Sequence, residues 1–167
     1  MPFSLLPDAV TKCVTDLTPE KITQLGIKLL MLDFDNTLVP YTSNEPTAEL
    51  LSWLDEMKAA DIPLCVVSNS KKERVKIFCE KYAIACITHA KKPGRKGIRQ
   101  CLEQHHLPPE VCALVGDQIF TDTLGANRCG VKPILVQAIH NHNFWLKARH
   151  VLELPFIAVA KKRRIRL

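Results

Sequence analysis

From residue 26 onward the chain alternates short apolar runs with longer stretches in which apolar residues recur every three or four positions. The runs are 27–32 (IKLLML), 62–67 (IPLCVV), 84–87, 111–115 (VCALV) and 131–136 (VKPILV). Each has the length and apolar content of a strand buried on both faces. The stretches between them predict helices. Residues 46–60 carry Leu50, Leu51, Leu54 and Met57 at helical spacing, and 71–82 place Val75, Phe78 and Cys79 on one side. Residues 96–105 predict a further helix, and 119–129 another, closed by Gly130 at the position after its last turn. Apolar strands alternating with helices predict an α/β, Rossmann-like fold: a parallel five-stranded sheet with helices on both faces. The expected division is an N-terminal amphipathic segment at 1–25, a core at 26–143 and an apolar and basic C-terminal tail at 144–167.

Composition narrows the class. At 167 residues and 47% hydrophobic, the chain buries a full core without disulfides. No apolar run approaches the ~20 residues of a membrane span, and MPFSLLPDAV lacks the basic start of a signal peptide. Charge is unevenly spread. Lys147, Arg149, Lys161, Lys162, Arg163, Arg164 and Arg166, against Glu153 alone, account for the whole formal net charge of +6. Such a tail suits an anionic partner, and its apolar Phe144-Trp145-Leu146 and 151–159 stretches suit a phospholipid surface better than nucleic acid, which is not expected as a partner. The bland alternative is a packing helix followed by a solvated end. The 7 cysteines form no CxxC and read as small buried hydrophobes in a reducing compartment. His140-Asn141-His142 reads as a polar loop.

In open parallel sheets, ligands bind beyond the carboxyl ends of the strands. Here those ends read Asp33-Phe34-Asp35-Asn36-Thr37-Leu38, then Ser68-Asn69-Ser70, then Lys91-Lys92-Pro93-Gly94, then Gly116-Asp117 with Thr121-Asp122. One edge of the sheet thus receives four carboxylates, a hydroxyl and a lysine. This set suits phosphoryl transfer to water. That chemistry needs a nucleophile, a group that protonates the leaving oxygen and later deprotonates water, and cations that offset phosphoryl charge. Clustered carboxylates suit Mg²⁺, a hard ion that seeks oxygen ligands. Asp33 and Asp35 stand two apart at a strand end and can share one site.

DFDNTL, VVSN, the Lys-Pro and VGDQIFTD, in this order, resemble the four motifs of the haloacid dehalogenase (HAD) superfamily. The resemblance implies that Asp33 is a nucleophile forming an aspartyl-phosphate and Asp35 the general acid and base. It implies that Ser68, the Asn69 backbone and Lys92 hold the phosphoryl group. Of the two lysines, Lys92, next to Pro93, is preferred over Lys91. Mg²⁺ would be held by Asp33, the Asp35 carbonyl and Asp117, with Asp122 and Thr37 behind these ligands.

Many HAD enzymes insert a cap domain after the first strand or before the lysine. Here the first gap has room for a loop and one helix, and the second for almost nothing, so no cap domain is expected. An open site suits a substrate large enough to cover it, or a second subunit, which leaves an oligomer possible. LLPDAV, GIK, DxDNTLV, EPTAEL, HAKKP and VGDQIFTDTLGANRCG further resemble the YqeG-type family of capless subfamily IIIA phosphatases, similar to phosphatidylglycerophosphate phosphatases. The implied function is a Mg²⁺-dependent phosphomonoesterase converting phosphatidylglycerophosphate to phosphatidylglycerol, peripherally bound at the cytoplasmic or stromal face of a membrane. The alternative substrates are a phosphoprotein, a nucleic-acid end or a soluble phosphometabolite.

Overall fold

A computed structural model describes residues 4–71 and 73–139 of the chain. The strands are β1 (Ala9–Val10), β2 (Leu29–Leu32), β3 (Leu64–Val67), β4 (Ala85–Ile87), β5 (Cys112–Gly116) and β6 (Lys132–Leu135). They form one sheet in the order β1-β6-β5-β2-β3-β4, and every pair is parallel. The helices are α1 (Pro19–Gln24), α2 (Ala48–Ala59), α3 (Glu73–Lys81), α4 (Lys96–His105) and α5 (Leu124–Cys129).

All four residues of β2 are buried, because side chains alternate between two covered faces. Leu30 and Leu32 pack in one layer with Leu50, Trp53 and Met57 of α2 and Val75 and Phe78 of α3. Leu29 and Met31 pack in the other with Ile98 and Cys101 of α4 and Ala126 of α5. Thr47 caps α2 by accepting from Leu50 N, and α5 ends at Gly130, whose φ of 76° is cheap for a residue without Cβ.

The sheet has six strands rather than five. The added one, β1, pairs in register with β6, Ala9 opposite Ile134. It is two residues long and has no alternation of its own, so the apolar runs could not predict it. Its segment is part of the core layer beneath α2. Ala9, Val14, Leu17 and Ile22 are buried there, and Trp53 Nε1 donates to Leu17 O at 2.8 Å.

Because α2 and α3 cover one face and α4 and α5 the other, the chain changes direction between β2 and β5, which are neighbours. The crevice beyond their carboxyl ends is the switch point at which such sheets bind ligands. Only a loop and α2 separate β2 from β3, and four residues separate β4 from Lys92, so no cap is inserted there. After β6 the chain runs back to this edge, with Val136 N donating to Gly116 O and Ile139 N to Asn36 O, each at 3.0 Å. The expected tail at 144–167 and His140-Asn141-His142 lie outside the described residues. Among the described residues no helix is long and apolar enough to cross a membrane.

Candidate active site

The β2–α2 loop turns tightly after Asp33. Asn36 takes a φ of 63°, its N–H donates to Val39 O at 2.8 Å, and its Oδ1 accepts from Tyr41 N at 3.1 Å. Asp33 N donates to Val115 O at 2.8 Å, which fixes the carboxylate over the β2–β5 boundary. Asp33, Ser68, Lys92 and Asp122 are all buried, and together with Asp35, Asn69, Gln118 and Thr121 they line a cavity of about 340 Å³. A larger groove of about 780 Å³ lies at the amino ends of β3 and β4, and none of these groups lines it.

Lys92 Nζ is 2.7 Å from Asp33 Oδ1 and 2.7 Å from Asp122 Oδ1. Lys91 is exposed and carries a φ of 57°, so its neighbour enters the site alone. Asn69 explains the placement. Its Oδ1 accepts from Lys92 N at 2.6 Å and its Nδ2 donates to Lys92 O at 2.9 Å, so both ends of the amide grip one residue. Sequence reasoning assigns Asn69 to the phosphoryl group through its backbone, and this side-chain grip, across 23 positions, has no local signal. Ser68 is pinned to the end of β4, its N donating to Ile87 O at 2.9 Å and its O accepting from Ala90 N at 3.0 Å, while its Oγ accepts from Ser70 N at 3.1 Å.

Asp122 lies on a wide π-helical turn, Ile119–Thr123, that leads into α5. Its Oδ2 accepts from Gln118 N at 3.2 Å, and the carboxyl rests on Gly116. A Cβ on Gly116 would stand 2.4 Å from Asp122 Cγ. Gly116→Ala is therefore expected to push Asp122 off Lys92. The cost is about 1–3 kcal/mol of stability, with phosphate release falling by roughly tenfold or more. Unchanged melting and turnover would show that the loop absorbs the methyl group.

Asp33, Asp117 and Asp122 offer carboxylate oxygens within 4.8 Å of one another. Asp117 Oδ1 is buried and has no hydrogen-bond partner. Burial, and secondarily the Asp33 and Asp122 charges, push the Asp117 carboxyl up to about 8. Burial also raises Asp33, against the pull of Lys92, to about 6. Burial alone would lower Lys92, but Asp122 and Asp33 outweigh it and hold the ammonium above its ordinary value. Two buried carboxylates and a partly buried third beside one ammonium, with a buried orphaned oxygen among them, fit a divalent cation. Thr37 is buried close by in the chain, its hydroxyl without a partner. Cys65, Cys101 and His105 also bring ligand-type atoms within 4.8 Å of one another. Their soft sulfurs lie in the apolar layer, and the hydrogen bond to Cys65 pushes the Cys101 thiol well above its ordinary value. That chemistry does not suit a hard ion.

The raised carboxyls imply a pH dependence. A proton held in the metal-free protein must leave when a cation binds. Apparent affinity should therefore strengthen by about tenfold per pH unit for each proton displaced between pH 6 and 8. At a fixed, subsaturating divalent metal concentration, the rise in Tm should be larger at pH 8 than at pH 6. An equal rise at both would mean that cation binding displaces no proton from Asp33 or Asp117.

The HAD-hydrolase-like family model matches residues 89–142. Over 131 residues the chain is 40% identical to "Probable phosphatase YqeG" of Bacillus subtilis (strain 168), covering 78% of this chain and 76% of that one. The chain belongs to the YqeG-like phosphatases of the HAD superfamily. Solved structures share the fold of this HAD phosphatase. A HAD-superfamily hydrolase from Ehrlichia chaffeensis superposes with a TM-score of 0.57 at 15% identity, over 78% of this chain and 98% of its own. The cobalt-bound deoxy-D-mannose-octulosonate 8-phosphate phosphatase of Haemophilus influenzae does so with a TM-score of 0.51 at 16% identity, over 77% and 89%.

One residue of the HAD phosphatase site carries no signal in the sequence. Arg74 of α3 is partly buried against the β2–α2 loop, donates to the Asp35 carboxylate and to Tyr41 O at 2.7 Å, and lies over the Phe34 ring at 5.0 Å.

Proposed function

We propose that the protein is a Mg²⁺-dependent phosphomonoesterase that forms an aspartyl-phosphate on Asp33 and acts on phosphatidylglycerophosphate at an anionic membrane surface. The observation that carries the chemistry is Asp33 beside a lysine that also grips Asp122, on the wall of an open cavity. An Asp33 oxygen attacks phosphorus, the bond to the leaving oxygen breaks, and the Asp35 carboxyl supplies its proton. Asp35 then takes a proton from the water that attacks phosphorus, the bond from phosphorus to the Asp33 oxygen breaks, and inorganic phosphate leaves. Lys92 and the Ser68 hydroxyl face the phosphoryl oxygens and offset their charge. Asp33 and Asp117, with the Asp35 carbonyl, would hold Mg²⁺, and Asp122 would support the set through Lys92. When bound, the cation neutralises charge on the phosphoryl group.

Two features support a lipid substrate. The described fold leaves the cavity without a cap, which suits a headgroup presented by a surface. Ile139 lies at the rim of the site, and the sequence that follows it carries the basic 161–166 stretch. Peripheral attachment at the cytoplasmic or stromal face follows from that reading.

The test is phosphate release, with Mg²⁺, from phosphatidylglycerophosphate in mixed micelles and from a panel of soluble phosphomonoesters. A strong preference for the lipid, reduced by deleting 161–167 while soluble esters are still turned over, is the expected result. Turnover of soluble esters with none of the lipid would discard this substrate and keep the reaction.

A further inference from the structure

We propose that Arg74 is the positioning residue for Asp35: it holds the carboxyl from behind, at one fixed place on the cavity wall, so that the proton reaches the leaving oxygen. This rests on the reading of Asp35 as the general acid. Arg74 belongs to α3, 39 positions from Asp35, and its side chain is only 11% exposed. One end of the guanidinium donates to Asp35 Oδ1 and to Pro40 O at 3.4 Å. The other donates to Tyr41 O at 2.7 Å and to Ser43 O at 3.3 Å. Its plane is packed between aromatic groups, 5.0 Å from the Phe34 centroid and 5.8 Å from that of Tyr41.

Asp35 and Tyr41 line the cavity and Arg74 does not. The guanidinium therefore meets Asp35 from the side away from the substrate, which separates it from a phosphate-binding arginine. A surface ion pair would be loose and worth little. This one is locked by three carbonyls and two rings, and a planar fork with several donors is the group that can satisfy all of them at once. The arrangement ties a residue of the first catalytic loop to a helix that starts after the second, so the acid cannot swing independently of Ser68.

A group that only stapled the 40–43 loop to α3 would affect every substrate alike. A group that aims the acid affects substrates according to their need for a proton. In the first step the P–O bond breaks and the departing oxygen must be protonated if it is an alkoxide, whereas a dinitrophenolate leaves without help. The ratio kcat/KM reports binding and this step, and excludes the later hydrolysis of the aspartyl-phosphate. In Arg74→Met, kcat/KM for an alkyl phosphate is expected to fall about 100-fold. That for 2,4-dinitrophenyl phosphate should fall at least ~10-fold less. Asp35→Asn, assayed beside it, should show the same selectivity. If Asp35→Asn is selective and Arg74→Met lowers both esters equally, Arg74 is a structural staple and the proposal is wrong. If Asp35→Asn itself lowers both equally, Asp35 is not the acid and the reading beneath the proposal fails. Should Arg74→Met not fold, Arg74→Lys keeps the charge, loses the fork, and is judged by the same ratio.

Discussion

Asp33→Asn is expected to lower phosphate release by about 10⁵-fold or more, while the protein stays folded. The amide matches the carboxylate in shape but has no lone pair basic enough to attack phosphorus. The rest of the site survives the change. Asp33 N still donates to Val115 O, Lys92 keeps its contact with Asp122, and the cavity walls do not move. Removing this charge even relieves a conflict, since Asp33 sits within reach of Asp117 and Asp122 and its carboxyl is pushed up to about 6 by burial. The metal-free melting temperature should therefore be equal to or higher than that of the parent. Phosphate release from purified protein, with acid-trapped mass spectrometry for a phosphoryl adduct, checks both halves. An adduct on the variant, or turnover within a hundredfold of the parent, would move the nucleophile elsewhere.

Lys92→Met should damage both chemistry and stability. Turnover should fall about 10³-fold, because one preorganised cation is lost from a buried site. Stability at neutral pH without metal should fall by about 3–5 kcal/mol, the typical cost of removing one partner of a buried ion pair. The sign with pH follows from linkage. Without the ammonium, the Asp33 carboxyl, already raised by burial, holds its proton still more tightly than the unfolded chain does, so folding takes up a proton. Stability of the variant then rises as pH falls. The gap to the parent should narrow from pH 8 to pH 5 in urea titrations. A gap that stays constant would assign the loss to packing of the side chain rather than to charge.

The strands that carry this site were legible because burial on both faces removes any ambiguity of pattern. The 27–32 and 62–67 runs contain Leu29–Leu32 and Leu64–Val67, each trimmed by two residues at its start. The catalytic edge followed, since a parallel sheet offers one end for ligands. What stayed hidden depends on contacts between distant residues. β1 exists only because β6 offers an open edge to Ala9 and Val10. Nothing in the neighbourhood of Arg74 marks it as different from the exposed Lys76 on the same helix, since its partners come from residues 34–43. The grip of Asn69 on Lys92 is of the same kind. The 119–129 helix was anticipated, but its π-helical first turn was not, and that extra width is what sets the Asp122 carboxyl on Gly116.

The return of the chain to the catalytic edge has a thermodynamic consequence. Ile139 is hydrogen-bonded to Asn36, a wall residue of the cavity, and Val136 to Gly116 beneath it. A ligand that steadies the Asn36 turn therefore also steadies residues 136–139. Occupancy of the cavity and docking of this segment are reciprocally coupled, and whatever free energy one lends the other is returned in full.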